Sequence, residues 1–167
     1  SRSVRMILSE KQPGIHIDDS ILDDLISTDG IIFDCDGVLI DITKSYDLTI
    51  DKTVQYVLEN FSQIRNSIKI DSKIIDGFKS SGGFNDEVDL AYAAILSLVA
   101  AKKLNKSQHE FIFDVISNAD SSGISSVEKY LGKLVDIGDI KNKLSYPGTH
   151  HENSLYQIFD QIFYGPE

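Results

Sequence analysis

A chain of 167 residues, 41% hydrophobic and 25% charged, has the composition of a soluble globular protein, with length for one sizeable core or two small ones. Its formal charge of −10 and pI near 4.7 argue against a nucleic-acid partner, which is held by clustered Lys and Arg. No apolar run reaches the ~18 residues that span a bilayer, the N-terminus has no signal-peptide core, and the lone Cys35 cannot form an intrachain disulfide, so the expectation is a cytoplasmic protein without a membrane partner.

In chain order, the segment up to about His16 contains Pro13 and Gly14 and no sustained period, and reads as an irregular arm. A short helix is expected next, capped by Asp18, Asp19 or Ser20, with Ile21, Leu22, Leu25 and Ile26 on one face. Asp29-Gly30 breaks it and opens Ile31-Ile32-Phe33, an apolar, β-prone run that reads as a buried parallel strand. From Thr43 onward the pattern is helical. Leu48, Ile50, Val54, Val57, Leu58 and Phe61 mark a long first helix, and a second spans 72–79. Asn85 or Asp86 is placed to cap a third, which runs to Lys103 with acids at its start and lysines at its end. Further helices are expected near 107–118 and 125–135. After Pro147-Gly148, a last one carries Leu155, Ile158, Phe159, Ile162 and Phe163. One strand followed by helices is peculiar for a complete domain, because a lone buried strand has no partner for its ladder hydrogen bonds. An isolated chain is therefore expected to associate through that edge or leave 31–33 disordered.

The chemistry lies in Ile31-Ile32-Phe33-Asp34-Cys35-Asp36-Gly37-Val38-Leu39-Ile40-Asp41. Two carboxylates two residues apart, at the C-terminal edge of a strand, stand where open α/β sheets bind ligands, and strand geometry points both to one side. Such a pair divides labour around a phosphoryl group, one attacking phosphorus and the other protonating the leaving oxygen. Gly37 permits the sharp backbone departure after them. Two anions facing a phosphate need a cation, and Mg²⁺ is the hard, oxygen-seeking ion that suits both. A calcium loop shares the opening Asp-x-Asp, but Leu39 and Ser45 stand where its Gly and bidentate Glu belong. His150-His151-Glu152 is a poor metal site, since adjacent residues do not converge on one ion.

Apolar-Phe-Asp-x-Asp-Gly-Val-Leu-x-Asp resembles the first signature motif of the haloacid dehalogenase-like (HAD) superfamily. The resemblance implies an α/β, Rossmannoid hydrolase acting on a small phosphorylated metabolite. Asp34 would be the nucleophile and Asp36 the general acid and base, with the Asp34 carboxylate and the Asp36 main-chain carbonyl ligating Mg²⁺. It also implies a small helical (type C1) cap inserted after the motif. Asp41-Ile42-Thr43-Lys44-Ser45-Tyr46, Thr53 and Phe78-Lys79-Ser80-Ser81-Gly82-Gly83-Phe84-Asn85-Asp86 look like an uncharacterised archaeal and cyanobacterial subgroup. In that subgroup the cap loop would face the phosphate site, which makes Lys79, Gly83, Asn85 and Asp86 candidate substrate-binding residues. Lys79 reads more often as a solvated helix-end charge than as a phosphate contact, and Gly82-Gly83 equally as a helix stop.

The fold class expected for this chain is therefore mostly α: one core β-strand plus the helical cap of an α/β HAD-like fold whose core is incomplete. Residues 1–42 would be the arm, helix, strand and nucleophile loop, 43–160 the cap, and 161–167 the start of a linker back to the core. The family's phosphate-holding Ser or Thr, its Lys and its second acidic pair are not found, so the chain alone is expected to be inactive. It would pair either with itself as a homodimer or with the missing C-terminal core segment. The alternative is a non-catalytic helical binding module carrying a vestigial Asp pair.

Overall fold

A computed structural model describes residues 8–13, 15–30, 32, 42–149 and 152–165. The chain divides into two compact units, one up to Asp41 and one from Ile42. The described part of the molecule is mostly helical.

In the first unit the expected irregular arm is a β-hairpin. Strands β1 (Leu8–Gln12) and β2 (Ile15–Asp18) pair antiparallel, Leu8 opposite Asp18 and Glu10 opposite His16, with an irregularity before Gln12 pairs with Ile15. Pro13 lies in the turn, so residues that read as a breaker are the connection of a hairpin. The Asp18 carboxylate accepts from the Ser20 backbone N–H at 2.9 Å and from its hydroxyl at 2.7 Å. It thereby caps a 3-10 turn (Asp19–Ile21) that runs into α1 (Leu22–Ile26). On its apolar face Ile21 is 45% and Ile26 76% exposed. The expected strand falls almost wholly outside the described residues. Ile32, its one described position, lies in no strand and is fully exposed.

The second unit is a helical bundle: α2 (Thr43–Ser62), α3 (Ser72–Ser80), α4 (Glu87–Lys103), α5 (Gln108–Ser117), α6 (Ile124–Gly132), α7 (Gly138–Leu144) and α8 (Ser154–Tyr164). Its centre is α4, where every residue from Leu90 to Ala101 is buried. The helix is apolar almost all round, and α2, α5, α6, α7 and α8 all pack on it. The one polar side chain in its middle, Ser97, is satisfied by the Ala93 carbonyl at 2.7 Å. No helix among the described residues is long and apolar enough to cross a membrane.

Caps set the helix ends. Asp71, Asp86, Ser107 and Asn153 each accept a backbone N–H from the first turn of the helix they precede. At the other end of α2, Gln63 adopts φ 55° and the Ile64 N–H returns to the Leu58 carbonyl at 2.9 Å, the left-handed closure that satisfies a final carbonyl. Of the residues assigned to a linker, Gln161–Tyr164 form the last turn of α8, and Phe163 stacks on Tyr46 with ring centroids 4.7 Å apart. One helix, α7, was not expected. It is seven residues long and only Ile140 and Leu144 bury, too little pattern to register as periodicity.

Candidate functional site

Asp34 and Asp36, the candidate catalytic and metal-binding pair, lie outside the described residues, as do Cys35, His150 and His151. Among the described residues there is no group of three or more His, Cys, Asp or Glu side chains placed to hold a metal ion. The chemically suggestive residues that are described belong to the loop 79–86.

That loop is built to be rigid. Gly82, at φ +85°, takes the chain out of α3. Phe84 is buried beneath the loop with its ring 5.0 Å from that of Phe78. Gly83 lies against the turn 120–123: a Cβ there would stand 2.4 Å from the Gly123 N and 2.6 Å from the Asp120 carbonyl oxygen, so only glycine fits. Asp86 ends the loop by accepting the Val88 N–H at 2.7 Å. The packing of Gly83 thus has a reason of its own, while Lys79, Asn85 and Asp86 present their side chains at the surface. Lys79 lies 3.7 Å from Glu87, an exposed pair that contributes ~0–1 kcal/mol.

No sequence pattern signals the belt of three tyrosines beside this loop, each hydroxyl on a carboxylate. Tyr92 donates to Glu128 at 2.8 Å, Tyr146 to Asp89, and Tyr156 to Asp86 at 3.0 Å. Their rings pack in sequence, Tyr92 to Tyr146 at 4.6 Å and Tyr146 to Tyr156 at 5.6 Å. Lys141 closes the far end on Glu128 at 3.0 Å. Burial raises the phenols of Tyr92, Tyr146 and Tyr156, and the neighbouring carboxylates raise them further. All three phenols are therefore protonated at neutral pH. The Asp89 carboxyl is also raised, by burial and then by the charge of Asp86, against the opposing pull of the Tyr146 hydroxyl.

The belt also fixes where the loop sits within the helical unit. Tyr156, in the first turn of α8, holds Asp86; Phe163, in its last turn, stacks on Tyr46 near the start of α2. Seven residues of helix separate Tyr156 from Phe163, a rise of about 10 Å. At the opposite end Lys102, near the end of α4, donates to the Ser62 and Gln63 carbonyls at the end of α2, at 3.2 and 3.1 Å.

Compared with protein-family models, with curated proteins and with solved structures, the chain matches none.

Proposed function

We propose that these residues are the N-terminal part of a Mg²⁺-dependent phosphomonoester hydrolase of the haloacid dehalogenase type, with the helical unit as its cap. The observation that carries the reading is the segment 31–41, which sets Asp34 and Asp36 two residues apart behind an apolar run and before a glycine. Asp34 attacks phosphorus, the bond from phosphorus to the leaving oxygen breaks, and Asp36 gives that oxygen its proton. Water deprotonated by Asp36 then attacks phosphorus, releasing phosphate and regenerating the Asp34 carboxylate. The Asp34 carboxylate and the Asp36 main-chain carbonyl are hard oxygen donors, which suits Mg²⁺. When bound, the ion neutralises charge on the phosphoryl group.

The helical unit supports the same reading. An insertion in another domain needs its entry and exit close together, and the Tyr46–Phe163 stack brings the start of α2 to the last turn of α8. In the proposed enzyme Lys79, Asn85 and Asp86 select the non-reacting part of a small phosphorylated metabolite. The phosphate-holding Ser or Thr, the Lys and the second acidic pair come from segments beyond these 167 residues, which alone are inactive.

The test is phosphatase activity of the full-length gene product on a panel of small phosphomonoesters, with and without Mg²⁺, beside its Asp34→Asn variant. Mg²⁺-dependent turnover, lost in the variant by 10³-fold or more (about 4 kcal/mol of transition-state stabilisation), is the expected result. Turnover indifferent to Asp34, or none from a folded full-length protein, would sink the assignment in favour of a helical binding module.

A further inference from the structure

A cavity of about 390 Å³ opens at the end of the bundle away from the loop 79–86. Its apolar wall is Phe61, Ile64, Val99 and Ile140, and its polar wall carries Lys102, Lys103 and Lys143. Eighteen residues of α2 separate Thr43 from Phe61, so the cavity lies roughly 27 Å along the helix from its start.

The three ammonium groups are anchored. Lys102 donates to the Ser62 and Gln63 carbonyls, Lys143 to the Phe61 carbonyl at 2.9 Å, and Lys103 to the Asp136 carbonyl at 2.8 Å. Two of them therefore converge on three consecutive carbonyls at one helix end, and each ammonium carries three donors, more than these bonds consume. Closing off helix ends does not account for so much charge. A helix C-terminus carries about half a negative charge, and the cavity is flanked by the ends of α2 and α4. With Asp139, the one carboxylate in the lining, these offset about two of the three positive charges. A surplus of about one remains, beside an apolar wall, in a chain of net charge −10.

We propose that this cavity binds a small amphipathic carboxylate, its single negative charge at the lysines and its alkyl chain against Phe61, Ile64, Val99 and Ile140. The volume is within the ~300–1,000 Å³ of small-molecule pockets. The surplus matches a monoanion better than a dianionic phosphate ester, which separates this site chemically from the proposed phosphatase chemistry. The inference rests on the helical unit alone and stands or falls independently of that function.

The experiment titrates hexanoate, heptanoate and octanoate into the 167-residue chain, below their micellar concentrations, following backbone amide shifts. Octan-1-ol supplies the same chain without charge. Saturable shifts confined to residues 61–64, 99–103 and 139–143 are expected, with binding tightening about fourfold per added methylene. Octanol should bind at least tenfold more weakly than octanoate. Lys143→Gln should weaken octanoate while Lys143→Arg retains it. No saturable response to octanoate, shifts that map elsewhere, or octanol binding as tightly as octanoate would each overturn the proposal. The comparison of octanoate with octanol uses the unmodified chain and holds even where a lysine variant fails to fold.

Discussion

Thr53 is fully buried on α2, and its hydroxyl has no hydrogen-bond partner among the described residues. A buried, unpaired hydroxyl costs on the order of 1–3 kcal/mol, and valine fills nearly the same volume without it. Thr53→Val is expected to stabilise the chain by about 1 kcal/mol in urea unfolding; a loss of stability would mean that the hydroxyl is paired. Gly83→Ala should do the opposite. Its Cβ meets backbone, which cannot swing away, and a cost of about 1–3 kcal/mol is expected. Were Gly83 only a substrate contact, the variant would lose activity and keep its stability. Asp89 sets a pH dependence. Its carboxyl is raised in the folded chain, so the fold holds that proton more tightly than the unfolded chain does. Stability is then lost as pH rises from the ordinary carboxylate range, about 4, through the raised folded value. Asp89→Asn removes this loss while keeping an oxygen for the Tyr146 hydroxyl. Thermal melts should therefore show the variant gaining on the parent between pH 4 and pH 7. Asp120, lowered by hydrogen bonds from Ser122, contributes in the opposite direction but equally to both proteins, so it cancels in the difference.

Helix α8 hangs on Asn153. That side chain is fully buried, accepts the Leu155 and Tyr156 N–H groups at 2.9 and 3.4 Å, and donates to the Ser145 carbonyl at 2.9 Å. Asn153→Ala removes the cap and leaves a carbonyl unpaired, with an expected cost of about 2 kcal/mol by urea unfolding. A change below a few tenths of that would assign the helix's stability to packing alone. Local signals of this kind made most of the helices legible in the sequence. Asp86, one of the two residues expected to cap α4, does so, and acids at its start and lysines at its end are where the macrodipole favours them. Other elements escaped for stated reasons. Strand β1 reads Leu-Ser-Glu-Lys-Gln, with one apolar residue and no alternation, so only pairing with β2 defines it. The length of α4 without a polar face was legible, but not its place at the centre of the bundle, because every residue from Leu90 to Ala101 buries and no face is singled out. At the candidate site, the Asp34 and Asp36 pair is a local pattern that the sequence displays. The tyrosine belt is not, since its hydrogen bonds join residues 36, 57 and 70 apart in the chain.

At the scale of the whole molecule, the described core belongs to the helical unit. Among the described residues, the buried hydrophobic core runs from Ile50 to Phe159. Ile21 and Ile26, the apolar residues of the first unit described at side-chain level before Gly30, are exposed rather than packed. The helical unit should therefore fold by itself. Expressed as residues 42–165, it is expected to unfold in urea as a single cooperative transition, with a stability within about 1 kcal/mol of the parent chain. Its m-value should be nearly unchanged, because m follows the surface exposed on unfolding and the core found among the described residues lies wholly within 42–165. A non-cooperative transition, or a loss of several kcal/mol, would show that residues before Ile42 complete the core. Independent folding is also what an inserted cap requires: a unit that carries its own core, with the start of α2 stacked on the last turn of α8, can be interposed in a second domain without either losing its hydrophobic interior. The fragment experiment therefore bears on the functional proposal through thermodynamics alone, without a substrate or a metal ion.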